Sequence, residues 1–205
     1  MKIRSGLLLA TLAVVVSSSA GAAPADAPSG TGFPGACDIV FLVPSTLHEV
    51  SGSARCQPFT VRIARDGSGK EVIPVVEVDV PVAAMDTRNR SRDGQMREML
   101  RSDRFPLIRG AARDVDVERL RVEIRKGRGG NASIGLLLRI RDVERKVLAT
   151  ASNLRESAER VTFDLEFPVS LGEFGLKAPS VLGIIRVGDK ISVKATLTLT
   201  VSRSP

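Results

Sequence analysis

The segment of residues 85–108, MDTRNRSRDGQMREMLRSDRFPLI, is the most informative part of this chain. It stands between stretches in which apolar residues alternate, and its own pattern is different. Met96, Met99 and Leu100 are spaced three and four residues apart, so in a helix they would share one face. We therefore expect one short amphipathic helix over residues 92–102, set into an otherwise extended chain.

Much of the remaining chain has an apolar residue at every second position. The last segment shows this most clearly, with Val193, Leu197 and Val201 on one face and Lys194 and Thr198 on the other. Successive side chains of a strand point to opposite faces, so each such segment has one apolar face, as in an antiparallel sheet packed on a core. About eight or nine strands with one helix favour a closed barrel or a sandwich. The predicted strands lie within residues 38–43, 59–63, 76–82, 104–115, 120–125, 136–141, 146–152, 162–171 and 193–201.

The beginning of the chain has the pattern of a secretory signal peptide. A short basic start precedes an apolar run over residues 7–16, and small residues suited to cleavage follow it. The run is too short for a permanent membrane span. We expect a signal peptide over residues 1–22 and a flexible Ala-, Pro- and Gly-rich segment over residues 23–36. One β-barrel domain is then expected over residues 37–205, in a protein that is periplasmic or secreted.

Two cysteines, Cys37 and Cys56, remain after removal of the signal peptide. In an oxidising compartment, two cysteines in one small domain suggest a disulfide, and two separate buried thiols are the alternative. The chain has one histidine, His48, and neither a Cys-x-x-Cys nor a His-x-x-x-His spacing, so no metal site is predicted. No Ser or Cys stands in a nucleophile motif that His48 could activate, so no catalytic residue or enzyme activity is expected.

The central segment resembles the signature of the YceI-like family. An Asp-Thr pair is followed by Asn and then by Arg-Asp, an amphipathic helix and Arg-Phe-Pro-x-Ile, and weaker similarities extend over residues 38–202. Members of this family are periplasmic, lipocalin-like barrels that hold long apolar molecules such as polyisoprenoids. The resemblance implies an antiparallel lipocalin-like β-barrel of about eight strands with one short helix. Family members commonly have glycine after the Asp-Thr pair, where this chain has Arg88.

The alternation leaves open whether the inward side chains fill the barrel or line a cavity, because both arrangements need apolar residues. The resemblance implies a ligand cavity. A barrel with a filled core, acting as an interaction or structural protein of the cell envelope, is the alternative. The residues expected to line the cavity are Val61, Val78, Val80, Met96, Leu100, Phe105, Ile108, Leu136, Leu138, Phe163, Leu165, Phe167, Phe174, Val193 and Leu197. Asp86, Thr87, Asn89, Arg92 and Asp93 are expected to form a structural turn, with binding of a polar head group as the alternative.

The ligand implied by the resemblance is a long-chain amphiphilic lipid, a polyprenyl compound or a quinone, bound for transport, storage or sequestration without a cofactor. The formal net charge is +7, and arginines are dense between residues 101 and 128. This region is compatible with transient contact with an anionic membrane surface, although interleaved acids favour a solvated face. Nucleic acid is not an expected partner, because the exported chain lacks aromatic platforms for bases. A dimer is compatible with the sequence, which predicts no oligomeric state. The absence of Trp and Tyr argues against an outer-membrane barrel.

Overall fold

The computed structural model describes residues 31–45, 49–126, 129–177, 180–181, 185–186 and 188–201. Two α-helices in this part of the chain, α1 (Arg90–Leu100) and α2 (Val117–Arg125), follow the fourth and fifth strands, and single 3₁₀ turns occupy Val82–Ala84 and Gly172–Phe174. The strands are β1 (Thr31–Val43), β2 (Val50–Arg55), β3 (Phe59–Arg65), β4 (Glu71–Pro81), β5 (Leu107–Asp116), β6 (Ala132–Ile140), β7 (Val143–Glu156), β8 (Arg160–Ser170), β9 (Ser180–Val181), β10 (Ile185–Arg186) and β11 (Lys190–Thr200).

Eight of these strands close into an antiparallel barrel. The order around the ring is β1, β3, β4, β5, β6, β7, β8 and β11, and the pairing of β11 with β1 completes it. Across that closing pair, Gly35 lies opposite Leu199 and Leu42 lies opposite Ser192. β3 and then β2 lie along the other edge of β1 in almost continuous register. The predicted lipocalin-like antiparallel barrel is confirmed.

The number of helices differs from the prediction. The sequence predicts a strand over residues 120–125, and this is wrong, because they form part of α2. Val117, Leu120 and Ile124 are spaced three and four apart and face the barrel interior, whereas Val122 is 46% exposed. A short alternating run is compatible with a strand and with a helix, and the spacing of the apolar residues that flank it distinguishes the two. The described residues thus contain two α-helices instead of one.

Both helices begin at a residue whose side chain caps them. A carboxylate oxygen of Asp116 accepts a hydrogen bond from the amide of Arg119 at 2.8 Å. The amide oxygen of Asn89 accepts one from the amide of Arg92 at 3.1 Å. Such caps satisfy amide donors that have no partner within the helix. The helix predicted over residues 92–102 therefore begins earlier, directly after Asn89, and it ends earlier, at Leu100.

The first strand is longer than the sequence predicts. Residues 31–36, which belong to the predicted flexible segment of residues 23–36, form the beginning of β1. They pair with β3, and Phe33 lies opposite Val61, with both side chains on the cavity wall. The composition of this stretch does not predict order, because its hydrogen-bond partners are distant in sequence. Residues 1–30, which include the predicted signal peptide, lie outside the described residues.

A disulfide joins Cys37 of β1 to Cys56, with their Cα atoms 5.4 Å apart. It links β1 to the junction between β2 and β3, where the Cys56 amide also donates to the Cys37 carbonyl at 3.2 Å. Neither helix in the described ranges has the length and apolarity needed to cross a membrane. In the same ranges, no group of three or more His, Cys, Asp or Glu side chains is arranged to hold a metal ion.

Candidate functional site

The barrel encloses a cavity of about 580 Å³, a size that accommodates small-molecule ligands in other proteins. Its wall includes Met96 and Met99 of α1 as well as Leu120 and Ile124 of α2. The space therefore extends from one helix to the other.

The two helices lie at opposite ends of the barrel. Pro81 and Leu107 pair where β4 and β5 meet the α1 connection, and Val72 and Asp116 pair where β5 meets α2. At about 3.3 Å per residue and a strand tilt of about 40°, these ends are roughly 23 Å apart along the barrel axis. Because its wall includes residues at both of these ends, the cavity of about 580 Å³ runs along most of the barrel axis. The cavity therefore has an elongated shape that suits an extended aliphatic ligand.

The cavity wall is almost entirely apolar. All residues predicted to line it do so except Phe105 and Phe174, and their binding of a ligand stays a prediction. The predicted residues found on the wall are Val61, Val78, Val80, Met96, Leu100, Ile108, Leu136, Leu138, Phe163, Leu165, Phe167, Val193 and Leu197. The prediction missed Phe33, Phe41 and Phe59, although the alternation of Cys37, Ile39 and Phe41 would have indicated the inward face of β1.

The two misplaced phenylalanines lie in connections, where the alternation of strands gives no orientation. Phe174 stands in the 3₁₀ turn after β8 and is 1% exposed in a core cluster with Val82. Phe105 lies between α1 and β5, with the guanidinium groups of Arg104 and Arg141 at 5.1 and 5.8 Å from its ring centre. The first side chain packs in the core cluster beneath α1, and the second packs outside the cavity.

A hydrogen-bond network holds the turn between β4 and α1. The Asp93 carboxylate accepts from the amide of Thr87 at 2.9 Å and from its hydroxyl at 2.6 Å. Arg92 donates in turn to the hydroxyl and carbonyl oxygens of Thr87, at 3.0 and 2.8 Å. The Thr87 hydroxyl bond is the main cause that lowers the pKa of the buried Asp93. The turn is therefore built around one ionised carboxylate.

The same turn is also fastened to β2. The backbone of Asp86 exchanges two hydrogen bonds with Ser53, at 2.8 and 2.9 Å. The Asp86 side chain accepts from the amide of Arg88 at 2.7 Å. Arg88 has a φ of 59°, in the left-handed region that favours glycine. With Asn89 as the helix cap, the motif residues are engaged within the turn, and Thr87 and Arg92 also reach the cavity wall.

A model of the YceI-like domain matches residues 39–199 of this chain. The chain belongs to the YceI-like family. Among solved structures, BcnA from Burkholderia cenocepacia is 14% identical, with a TM-score of 0.58 over 79% of this chain and 95% of that one. A polyisoprenoid binding domain from Saccharophagus degradans is also 14% identical, with a TM-score of 0.59 over 84% of this chain and 99% of that one. The Campylobacter jejuni YceI protein is 14% identical, with a TM-score of 0.54 over 77% of this chain and 88% of that one. Identity this low shows a shared fold, and no curated protein matches the chain significantly.

The α2 end of this YceI-like barrel carries charges that the sequence did not predict for the cavity. Arg121 and Glu156 are both part of the wall. Their side chains form an ion pair at 3.0 Å, and Arg125 contacts the second oxygen of Glu156. No sequence signal identifies them, because charged residues in alternating or helical segments are normally assigned to the outer face.

Acids neutralise several of the arginines between residues 101 and 128 in the YceI-like domain. Arg109 donates to both oxygens of Asp79 at 2.7 and 3.0 Å. Arg119 pairs with Glu123 at 3.0 Å. This arrangement favours a solvated outer face over a concentrated basic patch. His48 and Arg128 lie outside the described residues.

Proposed function

We propose that this protein holds one long isoprenoid-like lipid, such as a polyprenyl compound or a quinone, inside its barrel. The observation that carries the proposal is the apolar cavity, which extends from α1 to α2 along the barrel. The structural likeness to a polyisoprenoid binding domain supports the same ligand class. The lipid would be the ligand itself, with no cofactor, and binding would serve transport, storage or sequestration.

Burial of the ligand chain supplies enough free energy for this role. Each methylene that leaves water contributes about 0.8 kcal/mol. About fifteen of them contribute roughly 12 kcal/mol, which offsets much of an association cost of about 4–15 kcal/mol. A charged anchor is therefore not required for binding, although one would select among head groups.

The cavity volume argues against the alternative of a filled barrel that acts only through its surface. A filled core would leave few voids larger than a water molecule, whereas this interior holds about 580 Å³. We propose a binding protein and not an enzyme, exported to the periplasm or secreted through the segment of residues 1–22. Transient contact with an anionic membrane would allow it to collect and deliver the lipid.

The test is to express the full chain in a bacterium, purify it from the periplasm and record native mass spectra without detergent. Bound lipid is then extracted and identified. The proposal expects a stoichiometric long-chain isoprenoid, or uptake of one polyprenol or quinone per protein on incubation. A protein that remains at its apo mass with every such lipid contradicts the proposal, and recovery in the cytoplasm with residues 1–22 uncleaved contradicts export.

A further inference from the structure

Charged side chains interrupt the apolar cavity wall at both ends. Within the described residues, Arg92 is the charged wall residue near α1, and Arg121 and Glu156 are those near α2. Charges on such a surface are costly unless they have partners, so their contacts indicate what each end can bind.

Arg92 makes its hydrogen bonds within its own turn. It donates to the hydroxyl and carbonyl oxygens of Thr87, which fixes the start of α1. Among the described residues beneath α1, Val82 and Phe174 are each 1% exposed and Leu171 is 4% exposed, so apolar side chains are tightly packed there. This end therefore suits the tail of an apolar ligand better than its head.

In the described part of the chain, the charged residues at the α2 end contact other side chains. Arg121 stands on the inner face of α2 beside Ile124, and its Nε donates to Glu156 at 3.0 Å. Arg121 also contacts Glu118 at 3.5 Å, and Arg125 donates to the second oxygen of Glu156. One carboxylate thus lies between two guanidinium groups at the end of an apolar cavity. The side chains of Arg121 and Glu156 are 35% and 22% exposed.

We propose that Arg121 and Arg125 form a head-group site for a phosphorylated isoprenoid, in which the ligand phosphate takes the place of the Glu156 carboxylate. The inference rests on the proposed function and adds the ligand's head group and orientation. Guanidinium groups bind carboxylates and phosphates with similar paired geometry, so the position of Glu156 shows that an oxyanion fits. When no phosphate is bound, Glu156 provides the arginines with a partner.

The test compares two lipids that differ only in the head group, geranylgeranyl phosphate and geranylgeraniol. Both are offered in equal amounts to the full-length protein, and native mass spectrometry measures the ratio bound. The wild-type protein is expected to prefer the phosphate. Arg121→Gln reduces this preference about tenfold, because one charge-assisted contact is lost. Glu156→Gln increases it roughly threefold, because a competing negative charge is removed.

Matched control variants come from the outer face of the same helix. Arg119→Gln and Glu123→Gln remove the charges of an exposed ion pair and should leave the bound ratio unchanged. Arg121→Lys, which keeps the charge, should restore part of the preference. Thermal unfolding of each variant confirms that it folds.

The possible results separate this inference from the proposed function. Equal binding of the two lipids by the wild-type protein overturns the head-group site and leaves lipid binding standing. The same holds if Arg119→Gln acts as strongly as Arg121→Gln, or if only Arg92→Gln changes the ratio. Absence of binding by either lipid overturns the proposed function itself.

Discussion

Gly110 offers a direct test of the cavity as the ligand site. It lies in β5 opposite Val78 and Leu138, and all three residues are on the cavity wall. A Cβ atom built at Gly110 has no neighbour within 4 Å, so a larger side chain would extend into the empty space. Gly110→Leu should therefore fill part of the cavity without displacing the barrel.

The expected loss of binding follows from the volume that leucine occupies. Its four side-chain carbons exclude about four ligand methylenes, which at about 0.8 kcal/mol each amounts to about 3 kcal/mol. The dissociation constant for geranylgeraniol should rise roughly a hundredfold, as measured by titration in native mass spectra. Stability should move the other way, because glycine within a strand costs about 0.5–1 kcal/mol. The melting temperature should therefore rise by about 1–4 °C.

Gly135→Leu is the matched control on the outside of the barrel. Gly135 lies in β6 opposite Leu148, which is 66% exposed, and its built Cβ also has no neighbour within 4 Å. This variant should gain similar strand stability and bind geranylgeraniol like the wild-type protein. Unchanged binding by Gly110→Leu, or an equal loss in both variants, would refute the cavity as the site.

Three further predictions concern stability. Thr87 holds the pKa of Asp93 below its ordinary value, so the stability that Asp93 contributes is complete above about pH 4 and is lost as the pH falls through the lowered value. Asp93→Asn should therefore cost about 2 kcal/mol at pH 7 and flatten the decline of the melting temperature below pH 4. Arg88→Gly should stabilise the protein by about 1 kcal/mol in urea denaturation, because φ is 59° at this position. Reduction of the Cys37–Cys56 disulfide should cost about 3 kcal/mol, measured as the difference in melting temperature with and without reductant.

Each of these predictions has its own control. Asp103→Asn removes an exposed carboxylate and should leave the decline of the melting temperature below pH 4 unchanged. Gln95→Gly places glycine at an exposed position inside α1 and should destabilise by about 1 kcal/mol, opposite in sign to Arg88→Gly. A double Cys→Ala variant should not respond to reductant. The Asp93 argument is contradicted if the melting temperature of Asp93→Asn falls below pH 4 as steeply as that of the wild type. The Arg88 argument is contradicted if Arg88→Gly loses stability. The disulfide argument is contradicted if reductant changes the melting temperature of the double Cys→Ala variant.

The barrel was predictable because alternation is a local property of each strand. Residues 162–171 and 193–201 specify their inward faces without reference to any other part of the chain. The start of β1 was not predictable in this way, since the Gly- and Pro-containing residues 31–36 are ordered by pairing with β3. Order of that kind depends on a partner strand and leaves no local pattern.

Helix α2 and the charged end of the cavity were missed for a related reason. Leu120, Val122 and Ile124 satisfy a period of two over a few residues, and the helical spacing emerges only when Val117 is counted with Leu120 and Ile124. Arg121 and Glu156 reach the cavity wall because α2 and the end of β7 meet there. That juxtaposition is a property of the tertiary structure, whereas the turn after β4 could be recognised from its consecutive polar residues.

The pairing of β1 with β11 makes the barrel a structure that only the nearly complete chain can form. Gly35 and Leu199 meet across it although most of the sequence separates them, and contacts of such long range are slow to form. Until β11 arrives, β8 and β1 present unpaired edges beside an apolar interior, a combination that favours aggregation. The period of greatest risk for this protein is therefore its own synthesis and folding, and a chaperone that covers strand edges during that interval would protect it more than any gain in the stability of the finished barrel.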